Sequence, residues 1–190
     1  MTKKQPAEIS TEERLVMYRT AESALKELFS LESFCLESCI SQPGSLYPAW
    51  PPRTIPGRLG CCNKNYFEMM RSVSEGTPTT QRFKELQKEN ATCQAHRGGE
   101  CDYHSETGCQ VKCYNTPICL GYVCDPYKYH LSRNYQVNYT WEVVDKLEKI
   151  LKKGMSNEEF EKWLVNIQKA TERVKKGKKK QKGNQEIIEV

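Results

Sequence analysis

The chain has 190 residues, 37% of them apolar, with 29 Lys and Arg against 24 Asp and Glu, a net charge of +5. That length suits one domain with extensions, and a mean hydropathy of −0.75 points to a small core. No run approaches the roughly 20 apolar residues that span a bilayer, and Met1–Pro6 leads into no apolar segment of the signal-peptide kind, so a cytoplasmic protein with no membrane role is expected.

Residues 1–9 are polar and predict a flexible N-terminus. Ser10-Thr11-Glu12-Glu13 has the form of a capping box, in which a hydroxyl takes the N3 amide and the N3 carboxylate reaches back. Behind it Leu15, Tyr18, Ala21, Leu25, Leu28 and Phe29 recur at helical spacing. They predict an amphipathic helix of about five turns, running toward Phe34 and Cys35. Residues 41–60 hold five of the nine prolines and predict a connecting loop pinned by Tyr47 and Trp50. Tyr66, Phe67, Met69, Met70 and Val73 mark a short helix over Asn65–Val73, and Thr79-Thr80 can cap another that carries Phe83 and Leu86.

Residues 91–130 differ in kind. They hold six cysteines, all three histidines and few aliphatic side chains, so metal or disulfide cross-links are expected to replace hydrophobic burial there. Asp125-Pro126 reads as a helix start with Asp125 as cap. From Thr140 on, Val143, Val144, Leu147, Ile150 and Leu151 predict a helix that stops at Lys152-Lys153-Gly154, with glycine in the αL conformation. Ser156-Asn157-Glu158-Glu159 forms a second capping box, with Met155 stapled on Phe160. Phe160, Trp163, Leu164 and Ile167 then make the second arm of an αα-hairpin. Residues 171–190 carry a net +4, and the lysine-rich stretch 175–190 is expected to be a basic disordered tail. The expected fold is therefore mainly α: a helical cysteine-cluster domain over residues 10–139 with an irregular, metal-organised middle, and an αα-hairpin over 140–174 packed on it.

Ten cysteines in a chain without an export signal favour metal binding over disulfide stapling. They stand at positions 35, 39, 61, 62, 93, 101, 109, 113, 119 and 124. Cys61 and Cys62 are adjacent, just ahead of the predicted Asn65–Val73 helix, where unpaired amides and the helix dipole favour the thiolate. Pairing with each other would close a strained ring. Gly108 and Gly121 allow tight reversals around a centre. None of the spacings is the C-x2-C of common zinc ribbons, so spacing alone selects no metal.

The run Cys101-Asp102-Tyr103-His104-Ser105-Glu106-Thr107-Gly108-Cys109-Gln110-Val111, followed by Thr116-Pro117-Ile118-Cys119-Leu120-Gly121-Tyr122-Val123-Cys124, resembles the second half of the YkgJ-type cysteine-cluster family. Cys35, Cys39 and the doublet Cys61-Cys62 resemble its first half, a compact C-x2-C-x2-C-C, with a long insertion between Cys39 and Cys61. Thr116 stands where that family has arginine. The resemblance spans roughly residues 35–125 and implies a zinc- or iron-chelating domain; flagellin lysine N-methylases carry a similar pattern. It implies a ligand set of Cys35, Cys39, Cys61, Cys62, Cys101, Cys109, Cys119 and Cys124. Cys93 and Cys113 fall outside the pattern, although Cys113 can join a site by its nearness to Cys109, and His104 can stand in for a thiolate. Soft sulfur ligands select zinc or iron, including an iron–sulfur cluster of the 4Fe-4S type, over magnesium, calcium or manganese.

Three functions compete on this reading: a metal-binding protein, a metal- or iron–sulfur-dependent enzyme related to protein lysine N-methylation, and a disulfide-rich interaction protein with a protein partner. No G-x-G-x-x-G, P-loop or H-E-x-x-H is present to hold a nucleotide or a catalytic zinc. His104 fits a surface loop as well as a ligand position, and His130 fits packing on aromatic neighbours. The body offers no nucleic-acid groove, and only the basic tail could attract nucleic acid, an acidic partner or a membrane surface.

Overall fold

The computed structural model describes residues 9–32, 77–90, 104–105, 108–109 and 113–188. The described residues are mainly α-helical: α1 (Thr11–Ser30), α2 (Pro78–Asn90), α3 (Pro117–Gly121), α4 (Asp125–Tyr135), α5 (Glu142–Lys153) and α6 (Asn157–Ile188). A two-residue antiparallel hairpin, β1 (His104–Ser105) and β2 (Gly108–Cys109), precedes α3. The Tyr47–Trp50 anchor, the Asn65–Val73 helix and the loop of residues 41–60 lie outside the described residues.

Helix α1 starts as its sequence dictates. The Ser10 hydroxyl accepts from the Glu13 amide at 3.3 Å, while the Ser10 amide donates to the Glu13 carboxylate at 2.9 Å. The helix ends at Ser30 with Leu31 as its C-cap, ahead of Phe34 and Cys35. For α2 the cap is Thr77, whose Oγ1 accepts from the Thr80 amide at 3.2 Å. Thr79 and Thr80 instead lie buried in the first turn, and the Thr79 hydroxyl meets that of Thr11 at 3.0 Å. Likewise Asp125 is the first residue of α4 and Cys124 its N-cap.

Helix α1 is the hub. Leu15, Tyr18, Ala21, Leu25 and Leu28 are buried, and Phe83 of α2 meets the Tyr18 ring edge-on at 4.9 Å. All five apolar positions of α5 and all four of α6 are buried, as is Val174 further along α6. A fully buried leucine or isoleucine contributes about 2 kcal/mol relative to exposure, so these stripes dominate the stability of the frame. Ile9 lies against Gly154, Glu27 pairs with Lys175 at 2.9 Å, and Leu31 accepts from Lys178. Helices α1 and α6 therefore run side by side and parallel.

Three expectations change. The first concerns the αα-hairpin of residues 140–174. Helices α5 and α6 are joined through Gly154–Ser156 and linked by Lys149–Glu159 at 2.6 Å, but their close backbone packing is against α1, with α3 and α2 on α5 and α4 on α6. Glu159 serves Lys149, so only the hydroxyl half of the second capping box forms, Ser156 accepting from the Glu159 amide at 3.3 Å. Gly154 has φ 77° and ψ 172°, a positive-φ glycine conformation distinct from αL. Met155 and Phe160 are both buried, as the staple requires.

The second is the basic tail, expected to be disordered from residue 175. Helix α6 instead continues to Ile188. Lysine is a good helix former, and buried Val174 together with Glu27 and Glu32 of the α1 end gives this stretch partners that a local reading of charge does not see.

The third is the extent of the irregular middle. From Cys113 onward the chain joins the hydrophobic core through Leu120, Val123, Tyr127 and Leu131. Gly121 serves this packing rather than a chain reversal: a Cβ there would lie 2.3 Å from Val144 Cγ2, so its absence lets α3 close onto α5.

Candidate metal centre

Of the cysteines in the implied ligand set, Cys35, Cys39, Cys61, Cys62 and Cys101 lie outside the described residues, as do Cys93 and His96. Cys109 sits on β2, in register opposite His104 of β1. Cys113, Cys119 and Cys124 are half-buried. They follow one another along a segment fastened to the helical frame: Cys113 at the start of the turn, Cys119 at the third position of α3, Cys124 at the N-cap of α4. Among the described residues, no group of three or more His, Cys, Asp or Glu is gathered as a metal site.

The turn at residues 113–116 is where the cysteine segment meets the frame. Tyr114 has φ 61°, an uncommon value for a bulky residue, so neighbouring contacts must hold it there. They come from three sides. The Glu22 carboxylate, fully buried on α1, accepts from the Tyr114 amide at 2.9 Å and the Asn115 amide at 3.0 Å. The Tyr18 hydroxyl donates to the Asn115 carbonyl at 2.6 Å, and the Gln87 side-chain amide of α2 donates to the Tyr114 carbonyl at 2.9 Å. Arg19 and Lys26 flank Glu22 at i−3 and i+4 and balance its charge.

Thr116 is the N-cap of α3: its hydroxyl accepts from the Cys119 amide at 3.2 Å, and Pro117 follows at N1. The Thr-Pro-Ile-Cys sequence thus orients the backbone of Cys119 by local rules alone. Burial first, then the charges of Glu22, Cys119 and Glu148, holds the Tyr18 phenol well above the usual tyrosine range. It is a fixed donor to the turn, not a proton-transfer group at neutral pH.

Glu22, Tyr18 and Gln87 are the residues that motif reasoning missed. A signal for the first was present. Tyr18, Ala21, Glu22 and Leu25 fall at i, i+3, i+4 and i+7 of one helix face, and a carboxylate on an otherwise apolar stripe must find buried donors.

His130 packs on aromatics as expected, its ring 5.7 Å from Tyr135 and 6.2 Å from Tyr127. It also joins a polar cluster at the end of α1. Glu32 meets His130 Nε2 at 3.3 Å and accepts from the Tyr135 hydroxyl at 2.7 Å, while Asn134 meets Nδ1 at 3.0 Å. With both ring nitrogens engaged, His130 is a structural residue of the frame.

No helix among the described residues is long and apolar enough to cross a membrane. No family model, curated protein or solved structure matches this chain.

Proposed function

We propose that this chain is a metal-binding protein that chelates zinc or iron, the latter as an iron–sulfur centre, through cysteine thiolates that include Cys119 and Cys124. The observation that supports this reading is the anchoring of the cysteine segment. A buried carboxylate, a buried phenol and a buried amide side chain hold four backbone groups of the Cys113–Thr116 turn. That investment fixes the chain from which Cys119 and Cys124 project, and fixed geometry is what a metal site needs from its ligands. Cys124 stands at the N-cap of α4, at the positive end of the helix dipole. The cysteine density and the family-like spacing add the chemistry: soft donors suited to zinc or iron.

The test is elemental analysis and a visible spectrum of the full chain purified without oxygen. Stoichiometric zinc without colour, or iron with broad visible absorption, is expected. Cys119→Ser and Cys124→Ser should each lose metal, because a hydroxyl is not ionised at neutral pH, while Cys93→Ser should retain it. Metal-free protein whose cysteines titrate as disulfides after denaturation would replace this reading with a disulfide scaffold. Equal metal loss from Cys93→Ser and Cys119→Ser would refute the ligand assignment.

A further inference from the structure

Helix α6 carries its charge in two blocks. Its first turns hold Glu158, Glu159 and Glu161, whereas residues 173–182 hold seven basic side chains and no acidic one. The helix dipole accounts for an acidic first turn and a few cations near the end, not for a basic block of that length. Lys175 and Lys178 find carboxylates at the α1 end, but Lys176, Lys179 and Lys180 face solvent.

An open groove of about 1140 Å³ lies at the opposite, acidic end of α6, between its first turns and those of α1. Met17, Phe160 and Leu164 line it, and Glu12, Glu13 and Glu161 surround them, against a single lysine, Lys153. Val16, also in the lining, is 65% exposed, and Val165 of the adjoining turn is 41% exposed. An apolar strip framed by carboxylates is a surface for a basic, apolar-faced segment.

We propose that two copies of this chain pair antiparallel along α6, each placing its basic block on the acidic groove of the other. The charge order of α6 makes it its own complement under a two-fold axis, as an isologous interface requires. Because α6 is continuous from Asn157 to Ile188, its basic block lies roughly 27 Å along the axis from the groove at 1.5 Å per residue. The block therefore cannot fold back onto the groove of its own chain. The long lysine stems supply the apolar surface that the Val16, Met17, Phe160 and Leu164 strip can cover. Neither surface involves a cysteine, so the pairing stands apart from metal binding.

The test is sedimentation of the full chain across a range of concentration and salt. A concentration-dependent dimer is expected, weakened as salt screens the facing blocks. Val16→Glu, the pair Glu12→Lys and Glu161→Lys, and the triple Lys176→Glu, Lys179→Glu and Lys180→Glu should each raise the dissociation constant by about tenfold or more. All six positions are exposed, and circular dichroism checks that each variant folds. Mixing the groove-reversed pair with the lysine-reversed triple should restore a heterodimer with one repaired contact. A chain that stays monomeric at all concentrations would overturn the proposal. So would a dimer indifferent to the groove changes, or one indifferent to the lysine changes.

Discussion

Replacing Glu22 with glutamine probes the junction between the helical frame and the cysteine segment. The substitution is nearly isosteric but turns one acceptor oxygen into an NH2 group, so one of the Tyr114 and Asn115 amides, now bound at 2.9 and 3.0 Å, would face a donor. A hydrogen bond to a charged group contributes about 1.5–3 kcal/mol, and a buried amide left unsatisfied costs about 1–3 kcal/mol. The ion pairs with Arg19 and Lys26 add little, because those side chains are 38% and 34% exposed and solvent screens them. The two contributions overlap, and a loss of about 2–4 kcal/mol is expected. With a urea dependence of about 2 kcal/mol per molar, the unfolding midpoint should fall by about 1–2 M. A second readout is local: Cys113 should react faster with a thiol reagent in Glu22→Gln under native conditions, since the turn beside it is released. A midpoint shift under about 0.3 M with unchanged Cys113 reactivity would refute the clamp.

Gly121→Ala should lower the melting temperature despite the better helix propensity of alanine, because its methyl group would lie 2.3 Å from Val144 Cγ2; overpacking of this kind costs about 1–3 kcal/mol. At the start of α1, the Ser10 hydroxyl and amide hold the Glu13 carboxyl below its ordinary value of 4.5. The box therefore stabilises α1 above that pH and its contribution is lost as pH falls, so the difference in amide protection at Thr11–Arg14 between the parent and Ser10→Ala should shrink in acid. In alkali the sign reverses: burial raises the Tyr18, Tyr139 and Tyr135 phenols in the folded state. Their stabilisation is full below pH 10 and diminishes as pH rises toward the folded-state values, so the last phenolate absorbance should appear together with the loss of helical dichroism.

Local rules written in short stretches of sequence are borne out closely. The Ser10–Glu13 box and the 3.6-residue stripes of α1, α5 and α6 depend on neighbours within one or two turns. What failed to show was which of several neighbouring residues takes a cap, and whatever is set across the chain. Asp125 looks like a cap, yet the backbone turns into the helix at Cys124. Thr79 and Thr80 look like caps, yet Thr77 fills that role and leaves Thr79 to meet Thr11 of α1. The lysine run looks solvated by composition, but its helix continues because Glu27 and Glu32, some 150 positions earlier, answer Lys175 and Lys178. In the candidate site, the spacing of Cys109, Cys113, Cys119 and Cys124 is legible in the sequence. The turn's support is long-range, from Glu22, Tyr18 and Gln87, and no motif records it.

The parallel pairing of α1 with α6 has a consequence for synthesis. The two helices meet across about 145 positions of sequence, and the cysteine segment lies between them. At about 5–20 residues per second, roughly 7–30 seconds pass between the emergence of α1 from the ribosome and that of its partner. During that interval the Leu15–Leu28 face has no α6 to cover it, and every cysteine is already translated while the frame is still open. Thiol chemistry therefore has its widest access to the nascent chain before α6 arrives. A chaperone that shields the α1 face, or a slow codon stretch ahead of α6, would change the yield of correctly formed protein without altering a single contact of the finished fold.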